Sequence, residues 1–67
     1  MIPDIEIWRA ATLMLKRHGR DAAIVAAQRA DELMAAGDVE GQQIWKKIVD
    51  AVLELLRTKL EEGEHVN

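Results

Sequence analysis

The chain has 67 residues, 49% hydrophobic and 31% charged, a balance that suits one small packed domain better than a disordered segment. It contains no cysteine or serine, which excludes disulfides, thiolate chemistry, cysteine-ligated zinc and a Ser-His-Asp triad. A net charge of −3 and a pI near 5.2 give no whole-molecule attraction to nucleic acid or anionic lipid.

No apolar run approaches the ~20 residues needed to span a bilayer, so no membrane association is expected. The opening "MIPDIEIWR" lacks a basic leader followed by an apolar stretch, so no signal peptide is expected and a cytoplasmic location follows. A domain of this size buries only ~60% of its unfolded surface. With no disulfide available, association with another chain is the remaining means of stabilisation.

The first helix is expected over 4–18. Asp4 can cap its free N–H groups, Glu6 suits the positive dipole end, and Lys16, Arg17 and His18 suit the last turn before Gly19. Ile5, Trp8, Ala11 and Leu15 form its expected core stripe, flanked by Ile7 and Met14. The second helix, over 21–36, starts at Asp21 and stops at Gly37. Its stripe is Ala23, Ala27, Ala30 and Met34, broadened by Ile24, Ala26 and Leu33, and the small side chains permit close helix approach.

Asp38 caps the third helix, expected over 38–62 with Gly63 as terminator and 63–67 as a tail. Gly41 in its first turn costs roughly 1 kcal/mol relative to alanine and is read as serving close packing. Ile44, Ile48, Val52 and Leu55 make one stripe, and Trp45, Val49, Leu56 and Leu60 make another beside it. Together they cover more than the ~100° that an ordinary surface helix hides.

Short connections favour antiparallel neighbours. The expected fold is therefore all-α: one domain over 1–67, a three-helix up-down-up bundle with a longer C-terminal helix, and it is expected to be dimeric. Trp8 and Trp45 then form one aromatic core layer near Leu33 and Met34, the alternative being a shared ligand site. Matching the second and third helices residue by residue places Gly19–Arg20 level with about Leu53. Leu55, Leu56 and Leu60 should then project past the shorter helices. Such an apolar overhang marks an interface, most simply a two-fold homodimer, with Val49, Leu53, Leu56 and Leu60 as contact residues.

The cluster Lys16, Arg17 and Arg20 offers nucleic-acid contact as the alternative function. The helix that follows carries Arg29 but also Asp31 and Glu32, and the acidic Glu61, Glu62 and Glu64 are expected to face the basic turn. His18 with Asp21, and His65 with Glu61 and Glu64, lack the ligand set of a dedicated metal site. Asp50 lies four residues from both Lys46 and Glu54, the pattern of an exposed charged stripe. Thr12 and Thr58 have no evident activating base. Neither enzymatic activity nor a cofactor is expected.

Trp8, Gly19-Arg20-Asp21-Ala22, Ala30-Asp31-Glu32-Leu33, Gly37-Asp38, Gly41, Trp45, Ile48 and Leu55 together resemble a group of short uncharacterised alpha-proteobacterial helical proteins, a domain-of-unknown-function family. The resemblance spans Trp8 to about Leu56. It implies a bacterial cytosolic protein and brings no activity or site residues. The spacing is also loosely similar to tetratricopeptide helical pairs, although only one hairpin is present where such arrays stack several.

Overall fold

The computed structural model describes residues 4–65, with side chains as far as Lys59. These residues are helical almost throughout, and no strand occurs among them. Helix α1 covers Asp4–His18, α2 covers Ala22–Ala35 and α3 covers Val39–His65. Acidic Asp4 and Glu6 in the first turn of α1, and Lys16, Arg17 and His18 in its last, oppose the helix dipole at both ends.

The two corners differ. Between α1 and α2 the chain makes a single 3-10 turn, Gly19–Asp21, entered through Gly19 at φ 57°. Asp21 does not cap α2 as expected. It holds helical dihedrals (φ −81°, ψ −4°) with no side-chain cap hydrogen bond, because the 3-10 turn leads directly into the helix.

The second corner is fully bonded. Gly37, at φ 82°, donates its N–H to the Met34 carbonyl at 3.0 Å, and Asp38 donates to the Leu33 carbonyl at 2.8 Å. These two bonds make a Schellman end for α2. The Asp38 Oδ1 then accepts from the Gly41 N–H at 2.9 Å, capping α3. A Cβ on Gly41 would lie 2.5 Å from Asp38 Oδ2 and 2.9 Å from its Cγ. Gly41 therefore keeps space for the capping carboxylate, whereas the sequence suggested close helix packing.

At the far end, Gly63 does not stop α3, which continues to His65. A glycine weakens a helix by roughly 1 kcal/mol without breaking its hydrogen-bond ladder.

Each helix packs against the other two, most extensively α2 against α3. Met34 lies beside Gln42, and Ala27 and Ala30 border the same groove as Lys46 and Val49, so α2 and α3 run antiparallel. Asp4, Ile7 and Trp8 sit with Lys47, Asp50 and Ala51, while Leu15 and Gly19 sit with Leu56 and Lys59. Helices α1 and α3 therefore run the same way.

The core consists of Ile7, Ala11, Ala22, Ala26, Ile48, Ala51 and Val52, bordered by half-buried Met14, Leu15, Ile44, Trp45, Val49, Leu55 and Leu56. On α1 the buried stripe is one step removed from the expected one: Ile7 and Ala11 are inside, while Ile5 and Trp8 are exposed. Ala22 and Ala26 lie at the α1 and α3 contacts with no exposed surface, and helices that close leave no width for an indole. Helix α2 is turned in the same sense, burying Ala22, Ala26 and Ala30 and leaving Met34 63% exposed.

The expected aromatic layer is absent. Trp45 borders the core, whereas Trp8 is 42% exposed and level with Asp50 and Ala51, further along α3.

The expected overhang also changes. Leu55 and Leu56 pack on their own core, and Leu56 shares a pocket with Leu15, Gly19 and Arg20. The tight Gly37–Asp38 corner and the added 3-10 turn bring Gly19–Arg20 about one helical turn further along α3 than Leu53. The α1–α2 corner thus reaches as far along α3 as Lys59, and the α3 backbone continues to His65.

Candidate protein interface

Small side chains on one side of α2 leave a groove between it and α3. It is lined by Ala27, Ala30, Asp31 and Met34 from α2, and by Gln42, Lys46, Val49 and Asp50 from α3. At one end the Gln42 Nε2 reaches the Met34 sulfur at 3.5 Å. Along α3, positions 46, 49, 53 and 56 follow at alternating three- and four-residue steps. That spacing keeps them on one strip of the helix, beside the groove. Leu53, 51% exposed, is the apolar side chain that this strip leaves open to water.

The expected interface residues therefore separate. Val49 and Leu56 are half-buried against the core of their own chain, Leu53 is free to touch a partner, and Leu60 lies outside the described side chains. Met34 and Ala27 border the same groove and were assigned to the core by the sequence pattern. The signal for Met34 was present, since a long side chain at the end of an alanine stripe has little to cover it.

Charged groups flank the groove. Asp31, Lys46 and Asp50 line it directly, and Arg57 pairs with Glu54 one turn away. Arg9–Glu6 and Arg29–Glu32 are likewise exposed pairs spaced three residues apart, each worth at most a few tenths of a kcal/mol. The sequence had grouped Glu54 with Asp50 and Lys46; its contact is Arg57.

Ile5, Trp8 and Leu13 form a second apolar strip on the outer side of α1, beside Arg9, Thr12 and Lys16. There the Thr12 hydroxyl donates to the Trp8 carbonyl at 2.9 Å, so it is occupied within its own helix. Lys16, Arg17 and Arg20 are all exposed, and Lys59 joins Arg20 on the rim of one pocket. The side chains of Glu61, Glu62, Glu64 and His65 lie outside the described residues. Among the described residues no three His, Asp or Glu side chains form a group that could hold a metal ion, and no helix is long and apolar enough to cross a membrane.

No protein family, curated protein or solved structure matches the chain, and the alpha-proteobacterial resemblance rests on the sequence alone.

Proposed function

We propose that this chain is a small up-down-up three-helix bundle that acts as a protein-interaction module, without catalysis, by burying the α2–α3 groove and Leu53 against another helix. The observation that carries the reading is a thin core beside an open apolar strip. Among the described residues five of the eight that are buried are alanines and Val52 is the largest side chain fully enclosed, while Met34 lies open at the groove and Leu53 open beside it. Large apolar side chains outside and small ones inside suit a fold completed by a partner. A cytoplasmic, bacterial setting accompanies this proposal through the resemblance.

A photo-crosslinking amino acid placed at Leu53 in cells expressing the chain tests it, with Gln28 on the solvent side of α2 as control. One discrete protein adduct is expected from position 53 and none from 28. No adduct from position 53 removes the proposal.

Nucleic-acid contact through Lys16, Arg17 and Arg20 is the second reading, favoured by the approach of Lys59 to Arg20. Titration with duplex DNA and RNA decides it: binding that weakens steeply with salt is its signature, and none at low salt ends it.

A further inference from the structure

We propose that the outer face of α1 is a second docking surface, which takes an acidic amphipathic helix of another protein. The partner's carboxylates lie along Arg9 and Lys16, and its apolar side chains settle between Trp8 and Leu13.

Three large apolar side chains stand open on this face: Ile5 is 60% exposed, Trp8 42% and Leu13 48%. They border one depression with Arg9, Thr12 and Lys16, and all six belong to α1. Among the described residues α1 contributes nothing to the α2–α3 groove, so the two surfaces are separate.

Charge names the occupant. Helical geometry puts Arg9 and Lys16 almost in line, two turns or about 10 Å apart. Trp8 stands on one side of that line and Leu13 on the other. Thr12 lies between the two cations, and its hydroxyl is occupied by the Trp8 carbonyl at 2.9 Å, so its methyl group is what remains for a partner. Among the described residues no carboxylate lines the depression. Lys16 has no ion-pair partner among them, and Glu6 holds Arg9 only in an exposed pair at 3.4 Å, of a kind weak enough to exchange. Asp4 and Asp50 lie beyond the indole, in the depression that Trp8 shares with α3.

A cation, an apolar patch and a second cation along one helix complement a partner helix with carboxylates seven residues apart and apolar side chains between them. A lipid surface fits less well, because sinking Trp8 and Leu13 into it carries the cations between them into the apolar layer. Nucleic-acid phosphates answer the two charges but leave the apolar side chains uncovered.

Titration calorimetry of the purified chain tests the proposal with a helical peptide that carries glutamates seven residues apart and leucines between them. Micromolar binding that weakens with added salt is expected, and none by the same peptide with lysine for glutamate. Arg9→Glu and Lys16→Glu should each lower the affinity by about fivefold or more, and Trp8→Ala by a similar factor. Circular dichroism should show the helices retained in all three. Leu53→Glu should leave the affinity unchanged. No binding at high micromolar concentration, equal binding of the lysine peptide, or charge variants without effect overturns the acidic partner. Loss of binding in Leu53→Glu alone moves the peptide to the α2–α3 groove, which overturns this face and supports the groove. Tighter binding of phosphatidylglycerol vesicles or duplex DNA, lost in the same charge variants, overturns the partner helix in favour of lipid or phosphate.

Discussion

Asp38 serves both sides of the α2–α3 corner. Its N–H helps close α2 and its carboxylate opens α3, while Gly37 provides the left-handed residue between them. Removing the carboxylate in Asp38→Ala should cost about 1 kcal/mol. Gly41→Ala alone should come out near neutral, because the ~1 kcal/mol gained in helix propensity is offset by displacement of the cap. In the Asp38→Ala background the same change should stabilise by about 1 kcal/mol. Urea unfolding of the two single variants and the double measures this coupling, and simple additivity would contradict the contact. Gly37 and Asp38 were legible from the sequence, since a glycine and a capping residue mark a helix end by chemistry that operates locally. The purpose of Gly41 was less plain. It depends on the capping carboxylate swinging over the third residue of its own helix, a spacing that a search for tertiary packing overlooks.

Among the elements, α2 shows how small side chains set the separation of helices. Ala22 and Ala26 have no exposed surface, so Ala26→Leu should force α2 away from α3 and cost about 1–3 kcal/mol. Ile48→Ala removes one of the few large core side chains and should cost about 2–5 kcal/mol. Thermal or urea denaturation checks both. The same alanines explain why α1 was read in the wrong phase. Its sequence has apolar side chains at 5, 7, 8, 10, 11, 13, 14 and 15, which allows more than one buried stripe, and weighting by size favours the one containing Trp8. Close approach selects Ile7 and Ala11, and only the neighbouring helices carry that information. Quenching by acrylamide provides a direct check: Trp45→Phe should leave a strongly quenched emission from Trp8, and Trp8→Phe a more protected one from Trp45. In α3 the two apolar stripes were legible as such. Which of them faces inward, and how far along the neighbours reach, depends on the exact turn geometry at each corner. A shift of one helical turn moved Leu56 from an expected overhang onto the core.

For the whole molecule, a core that holds four alanines and one fully enclosed valine among the described residues predicts modest intrinsic stability. Domains of this length typically hold only about 3–10 kcal/mol. A partner that binds only the folded chain then raises its melting temperature. On the interaction-module reading that rise should appear when the protein captured through position 53 is added to the parent chain and vanish in Leu53→Glu, while helical circular dichroism at low temperature is retained. A melt that the captured protein leaves unchanged would argue against coupling between folding and association. The unequal corners carry one more consequence, for the order in which the molecule opens. One joint is locked by three hydrogen bonds through Gly37, Asp38 and Gly41, and the other is an uncapped 3-10 turn. Local opening should therefore begin with α1 peeling away from a hairpin that stays clasped. In native-state hydrogen–deuterium exchange, amides of α1 should lose protection first, and those around Ala30 and Ile48 should exchange only on global unfolding.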